Sequence, residues 1–172
     1  MINIVLYEPE IPGNTGNIMR TCVATGAKLH LIEPLGFQIT DKTIKRSGVN
    51  YIDKLDYTTY IDFDDFLNKN KGEFYFFTRY GKVPHSNFNY SDNSQNIYLI
   101  FGKESTGIPK KILKNYLDKC IRIPTTENVR ALNLSNCVAI AIYEVLRQQN
   151  YPGLLTKEPH KGEDWLIEDE GE

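Results

Sequence analysis

Short apolar runs alternate with helix-spaced apolar positions from the beginning of the chain. Ile2 to Tyr7 is a β-branched run that predicts a strand, and a segment with two prolines and a glycine follows it as a loop. A helix is predicted next, with Asn14 or Thr15 as its N-cap and Gly26 at its end. The run Lys28 to Glu33 predicts a second strand. This β-α-β opening indicates a parallel sheet with a right-handed crossover, and therefore an α/β fold.

The same alternation continues along the rest of the chain. The last helix is apolar on every face between Cys137 and Ile142, so we expect it to be buried. After the opening unit, the predicted elements are a basic helical piece at Asp41 to Ser47, a weak strand at Leu55 to Tyr60, a helix at Asp62 to Asn70, a strand at Phe74 to Thr78, a polar loop at Tyr80 to Asn96, a strand at Ile97 to Phe101, a helix at Pro109 to Tyr116, a strand at Cys120 to Ile123 and a helix at Asn133 to Gln148.

The charged residues divide the chain into a mildly basic body and an acidic tail. Residues 1 to 156 carry 18 basic and 15 acidic side chains, whereas residues 157 to 172 carry two basic and seven acidic ones, so the charges are +3 and −5. Length and composition suit one domain, which we assign to residues 1 to 156 with the tail as an appendage. A body charge of +3 permits a nucleic-acid partner without requiring one.

The cysteine and hydropathy patterns argue against several classes of protein. Cys22, Cys120 and Cys137 form no CxxC pair and have no histidine at metal-ligand spacing, so we expect free thiols and no metal. No apolar stretch approaches the roughly 20 residues that span a bilayer, and the first residues lack the basic segment of a signal peptide. We therefore expect a cytoplasmic protein with no membrane partner.

Three loops that follow apolar strands contain most of the unusual small and polar residues, at positions 14–20, 101–109 and 123–136. Ligands bind beyond the carboxyl ends of strands in open α/β sheets, so these loops are the expected site, although turn chemistry alone explains such loops equally well. The run Gly102 to Ser105 is not a P-loop, because Ile97 and Glu104 occupy the places of its first glycine and its hydroxyl residue. The dinucleotide-binding fingerprint GxGxxG is also absent from the sequence.

The three loops carry sequence motifs in a fixed order. Residues 6–20 contain LYEPEIP and NTGNIMR, residues 101–109 read FGKESTGIP, and residues 123–136 begin with IP and end with VRALNLSN. These segments resemble motifs 1, 2 and 3 of the SpoU branch of the SPOUT methyltransferases. The resemblance covers roughly residues 1 to 153 and is greatest to the minimal tRNA (cytidine/uridine) wobble 2′-O-methyltransferases, which lack an extra RNA-binding domain.

This resemblance implies a fold and a cofactor. The implied fold is a deep trefoil knot near the C-terminus, whose loops hold S-adenosylmethionine mainly through main-chain groups and release S-adenosylhomocysteine. Ala131 stands where many members of the family carry serine. Glu104 is expected to anchor either the loops or the neighbouring chain by accepting backbone hydrogen bonds, and Asn133 to cap the last helix. The implied cofactor-binding residues are Phe77, Thr78, Gly102, Glu104, Gly107, Ile123, Ala131, Leu132 and Asn133.

The resemblance also implies a reaction and its catalytic residues. The substrate would be the wobble nucleotide of the anticodon stem-loop of a tRNA, leucine tRNA by the resemblance, as cytidine or a 5-carboxymethylaminomethyluridine-type base. Asn14 and Arg20 match the motif 1 positions tied to RNA binding and catalysis. Because a guanidinium group stays protonated in proteins, we expect Arg20 to orient the ribose hydroxyl and a phosphate rather than to act as a base. A helix-surface arginine is the structural alternative.

The sequence also favours a homodimer, in which Arg20 of one chain would approach the cofactor of the other. A catalytically silent RNA-binding module on the same fold, or an α/β nucleotide-binding protein of another class, are the alternative functions. The apolar residues of the first and last helices would either form the dimer interface or fill the core of a monomer, and these residues are Ile18, Cys22, Val23, Val138, Ile142 and Val145.

Overall fold

A seven-stranded parallel sheet forms the centre of the molecule, in the strand order β3-β2-β1-β6-β4-β7-β5. The structure is a computed structural model, and it describes residues 1–40, 42, 44 and 52–168. Leu6 of the first strand pairs with Leu31 on one side and Phe101 on the other, and every described pair of strands is parallel. The strands are β1 (Ile2–Tyr7), β2 (Lys28–Ile32), β3 (Tyr57–Tyr60), β4 (Glu73–Phe77), β5 (Val83–Pro84), β6 (Ile97–Phe101) and β7 (Cys120–Arg122).

Helices cover both faces of this sheet, as parallel strands require. Ile4 and Leu6 of β1 belong to a core cluster on one face, whereas Val5 belongs to a second cluster on the other. The described helices are α1 (Pro12–Thr25) and α4 (Leu134–Gln148), which pack against each other over the first face, and α2 (Phe63–Lys69) and α3 (Lys110–Leu113), which cover the second. The predicted α/β class with a parallel sheet is confirmed, and the trefoil knot stays a prediction.

Most predicted elements occur within one or two residues of their predicted bounds, with two exceptions. The segment predicted as a polar loop contains the short strand β5, and the same segment contains the buried residue Tyr90. The helix predicted at Pro109 to Tyr116 ends already at Leu113. The helical piece predicted at Asp41 to Ser47 lies largely outside the described residues.

Burial selects the core alternative for the apolar residues of the two long helices, and the prediction that the last helix is buried is wrong. Five of the six apolar residues suggested for a dimer interface are buried in the core of the single chain, and only Val23 is half-buried. Helix α4 is not buried on every face, because only the side that contacts α1 and the sheet is covered. Ile140 and Tyr143 on its other side are 38% and 47% exposed.

The C-terminal segment leaves the core soon after α4. Leu154 still packs against the core, whereas Leu155 is exposed, as are Trp165, Leu166 and Ile167. The division at residue 156 stays a prediction. None of the helices in the described ranges is long and apolar enough to cross a membrane.

His30 on β2 is a buried histidine with both ring nitrogens hydrogen-bonded. Its Nε2 lies 2.9 Å from Asn3 Oδ1, and its Nδ1 lies 2.8 Å from the Tyr60 hydroxyl. Since Asn3 Oδ1 can only accept, Nε2 carries the proton and Nδ1 accepts from Tyr60, which satisfies the neutral ring. Burial lowers the pKa of His30 to about 4.

This environment predicts a loss of stability in mild acid. The folded pKa lies below the ordinary value of 6.5, so the unfolded chain binds the proton more readily, and the contribution of His30 to stability is complete only above that value. The contribution of His30 to the free energy of unfolding should fall by roughly 3 kcal/mol in total between about pH 6.5 and pH 4. Urea unfolding across this range should show a flatter pH dependence for His30→Phe than for wild type, while His160→Phe in the exposed tail should follow wild type. Equal slopes for wild type and His30→Phe would contradict the prediction.

Candidate active site

A cleft of about 720 Å³ opens at the carboxyl ends of three neighbouring strands of the sheet. Phe77 at the end of β4, Phe101 at the end of β6 and Arg122 at the end of β7 all line it. The Phe77 and Phe101 rings stack with centroids 4.6 Å apart and give the cleft an apolar wall. The first turns of α1 and α4 contribute Asn14 and Leu134. Sites for small organic ligands span about 300–1,000 Å³, so the cleft has a suitable size.

The carboxylate of Glu104 joins the loop after β6 to the beginning of α1. Its Oε2 accepts from the Glu10 N–H at 2.9 Å, and its Oε1 accepts from the Ile11 N–H at 3.1 Å and from Asn14 Nδ2 at 3.3 Å. Helix α1 has Ile11 as its N-cap residue, which has no side-chain hydrogen bond of its own, and Pro12 as its first residue. Glu104 therefore supplies the negative charge that a helix N-terminus favours, and the prediction that Asn14 or Thr15 caps α1 is wrong.

The hydrogen bonds continue from Asn14 to the beginning of α4. Asn14 Oδ1 accepts from Asn133 Nδ2 at 3.0 Å, and Asn133 Oδ1 accepts from the N–H groups of Ser135 and Asn136. The predicted cap of the last helix by Asn133 is confirmed. One chain of side chains thus connects the three motif segments, and the buried Asn14 amide is engaged on both of its ends.

Two more carboxylates hold the segment before α1 against the loop after β6. Glu8 forms an ion pair with Lys103 at 2.7 Å. Glu10 accepts from the Ser105 N–H at 2.9 Å and from its hydroxyl at 2.8 Å. The Ser105 hydrogen bonds lower the pKa of Glu10, and the Glu8 carboxylate raises the pKa of Lys103, so both contacts persist at neutral pH.

The loop after β6 folds tightly on itself at two glycines. Gly107 has φ of +71° and donates its N–H to the Lys103 carbonyl at 2.9 Å. A Cβ on Gly102 would lie 2.2 Å from the Gly107 carbonyl carbon, so no other residue fits there without moving the loop. Gly102 therefore allows a close approach of the chain's own backbone.

The structure brings the nine predicted cofactor residues and Asn14 around this one cleft. Arg20 is on α1 like Asn14, and it lies about 9 Å further along the helix axis on an exposed side. It is not among the residues that line the cleft of its own chain. The assignment of cofactor-binding and catalytic roles stays a proposal.

Sequence reasoning missed several residues of the cleft. Arg79, Tyr80, Arg122 and Arg130 also line it, and together with Lys103 they make its rim basic despite the net charge of −2. Arg79 and Tyr80 directly follow a predicted strand, and this position is the sequence signal that could have identified them. Cys137 lines the cleft as well, and burial raises the pKa of its thiol.

Comparison with known proteins agrees with this arrangement. The sequence profile of the SpoU rRNA methylase family matches residues 1–143. The chain belongs to this family. An Escherichia coli protein named tRNA (cytidine(34)-2′-O)-methyltransferase is 43% identical over 160 residues, which are 92% of this chain and 100% of that protein.

Two solved structures resemble this SpoU family member over most of its length. A Bacillus anthracis protein superposes with a TM-score of 0.86 at 51% identity, over 90% of this chain and 98% of that one. A second structure, described as giving insight into the 2′-OH methylation of C/U34 on tRNA, superposes with a TM-score of 0.81 at 36% identity, over 87% and 97% of the two chains.

The hydrogen bonds of Glu104 predict a large effect of its removal. Glu104→Ala leaves the Glu10 and Ile11 N–H groups and the Asn14 amide without their acceptor, so we expect the unfolding free energy to fall by roughly 2–4 kcal/mol. Glu104→Gln keeps one side-chain oxygen as an acceptor and should lose less. Urea unfolding monitored by circular dichroism measures both.

Glu158→Ala provides a matched control for this measurement. The Glu158 carboxylate also accepts two backbone N–H groups, those of His160 and Lys161, but in the exposed tail. Its removal should change the free energy of unfolding little. Similar losses of unfolding free energy in the Glu104 and Glu158 variants would contradict the role of Glu104 in joining the loop after β6 to α1.

Proposed function

We propose that this chain transfers a methyl group from S-adenosylmethionine to the ribose 2′-hydroxyl of nucleotide 34 in the anticodon stem-loop of a tRNA. The observation that carries the proposal is the convergence of the three motif segments on one cleft through Glu104, Asn14 and Asn133. The full-length similarity to a tRNA (cytidine(34)-2′-O)-methyltransferase supports the substrate class. Leucine tRNA, with cytidine or a modified uridine at this position, is the substrate we propose from the resemblance.

The residues of the cleft suit the proposed cofactor. Phe77, Phe101 and Leu132 offer apolar surface for an adenine ring, and the loops at Thr78, Gly102 and Ile123 bring main-chain polar groups to the same space. Within the described ranges no cluster of three or more histidine, cysteine, aspartate or glutamate residues could hold a metal ion. We therefore propose cofactor binding and methyl transfer without a metal.

The reaction needs an activated ribose hydroxyl. S-adenosylmethionine would supply a methyl group on a positively charged sulfur for transfer to the 2′-oxygen, with S-adenosylhomocysteine as the leaving group and the hydroxyl proton passing to solvent. The hydroxyl is a poor nucleophile unless its developing charge is stabilised. We assign this stabilisation to Arg20, together with contact to a neighbouring phosphate. Asn14 holds the cleft walls together through Glu104 and Asn133.

Assembly into a homodimer is part of the proposal. Arg20 is exposed on α1 and lies outside the lining of its own chain's cleft, which supports delivery to the cleft of a second copy. The exposed stripe Asn136, Ile140, Tyr143 and Arg147 on α4 offers an apolar centre with polar ends for a two-fold contact. This stripe replaces the core residues that the sequence suggested for the interface.

The basic charge of the cleft suits a nucleic-acid substrate better than the net charge of the whole chain does. Among the described residues that line the cleft, the basic ones are Arg79, Lys103, Arg122 and Arg130. The acidic one, Glu104, accepts hydrogen bonds from backbone N–H groups. Contacts from basic side chains to phosphates supply much of the affinity for nucleic acid. A cytoplasmic location, where tRNA is found, stays a prediction.

A direct test combines calorimetry with nucleoside mass spectrometry. The protein should bind S-adenosylmethionine in the presence of EDTA and should convert nucleotide 34 of a leucine tRNA transcript to its 2′-O-methyl form. Cofactor and tRNA binding without methyl transfer would favour the silent RNA-binding module. Failure to bind the cofactor would favour a nucleotide-binding protein of another class.

Arg20 provides a sharper test of the composite site. Arg20→Ala should lower methyl transfer at least about 100-fold and leave the dissociation constant of S-adenosylmethionine nearly unchanged, since its side chain lies outside its own cleft. Ala131→Trp, at an exposed position that lines the cleft, should block the cofactor without disturbing the core. Each variant alone should be inactive as a homodimer.

Mixing the two variants distinguishes a shared site from a site within one chain. If Arg20 acts on the partner's cofactor, a mixed dimer has one intact site, and an equal mixture should recover about one quarter of wild-type activity. No recovery in a mixture that light scattering shows to contain dimers would favour a site within one chain. A monomer that methylates tRNA would overturn the composite site.

A further inference from the structure

Tyr80 is the most exposed aromatic side chain in the described part of the chain, yet it lies at the candidate active site. Its side chain is 72% exposed, and the residue lines the cleft together with Arg79. Most other aromatic rings pack in the two core clusters, where burial explains them. Packing does not explain Tyr80, because an exposed ring gains little from the hydrophobic effect in the free protein.

The backbone that carries Tyr80 is held firmly against β7. Thr78 donates its N–H to the Ile121 carbonyl at 2.9 Å, and Gly81 donates to the Thr78 carbonyl at 3.1 Å, which closes a turn over residues 78–81. Gly81 packs so closely on β7 that a Cβ would lie 2.5 Å from the Ile121 carbonyl carbon. A ring on a fixed turn loses little conformational freedom when a ligand binds it.

Arg79 adds a cation to this ring. Its guanidinium carbon lies 5.2 Å from the centroid of the Tyr80 ring, within the range of a cation–π contact. The pair therefore presents an aromatic surface and a positive charge side by side at the cleft. Single-stranded RNA is recognised in this way, with unstacked bases on aromatic rings and phosphates on basic side chains.

We propose that Tyr80, supported by Arg79, is the platform on which the base of the target nucleotide stacks. The inference rests on the proposed function, because the ribose of that nucleotide has to enter the same cleft for its 2′-hydroxyl to be methylated. Its base leaves the anticodon loop and needs a new stacking partner beside the cleft. Stacking tolerates any base, since every base has a π-face, so this platform suits both cytidine and a modified uridine.

Steady-state kinetics and cofactor binding separate this role from the alternatives. At saturating S-adenosylmethionine, Tyr80→Ala should raise KM for the anticodon stem-loop roughly 5- to 150-fold, as expected for the loss of one stacked base, with kcat changed much less. Tyr80→Phe keeps the ring and should resemble wild type, and Tyr57→Ala removes an exposed tyrosine on the distant edge strand β3. Cofactor affinity and the mass by light scattering should match wild type in all three variants.

Three results of these measurements would overturn the proposal. An equal loss of cofactor and RNA affinity in Tyr80→Ala would place the ring on the cofactor, loss of the dimer would place it in the subunit contact, and an unchanged KM would leave it a surface residue. Photocrosslinking gives a readout that does not depend on methyl transfer. A stem-loop with 5-iodouridine at nucleotide 34 should crosslink to the tryptic peptide that contains Tyr80. Crosslinking elsewhere would refute the platform, whereas a crosslink to Tyr80 without methyl transfer would refute the proposed reaction alone.

Discussion

The structure of the site depends on one half-buried junction, in which a carboxylate meets the N-terminal end of a helix. Glu104 binds the Glu10 and Ile11 N–H groups and the Asn14 amide, and Asn14 in turn binds Asn133 at the beginning of α4. Without this carboxylate, the Glu10 and Ile11 N–H groups just before α1 would lack their protein acceptor at the edge of the cleft. The junction fixes two helices and the loop after β6 relative to one another, so it also fixes the walls of the cleft.

Around this junction, the cleft separates two kinds of chemistry. Its floor is made of strand ends with stacked phenylalanine rings and close glycine contacts, which suit a small ligand that main-chain groups bind. Its rim carries arginines and an exposed tyrosine, which suit a large anionic ligand that binds reversibly. Under the proposed function, the cofactor and the polynucleotide therefore meet at one cleft.

The sequence predicted the fold and the location of the site well, because both depend on local patterns and ordered motifs. Strands such as Ile97–Phe101 are continuous apolar runs, and loops after parallel strands meet at one edge. Prediction from the sequence failed where the local structure depends on a residue far away along the chain. The helix start at Pro12 was misplaced because the N-cap residue Ile11 makes no side-chain cap hydrogen bond, and the segment before the helix is bound by the distant Glu104. The two-residue strand β5 has too few residues to form a pattern. The exposed face of α4 could not be foreseen, since apolar residues on all sides of a helix do not reveal which side the chain covers.

The wide separation along the chain of the groups that build the cleft has a consequence for biosynthesis. Glu10 and Glu104 are 94 residues apart, and Asn14 and Asn133 are 119 residues apart. These contacts close long loops, whose entropy must be overcome before any of the contacts forms, so folding of such a topology is slow. A chain still emerging from a ribosome has β1 and α1 long before it has their partners. The cleft therefore exists only in the completed chain, and a ligand that occupies it selects the finished fold over every partly folded intermediate.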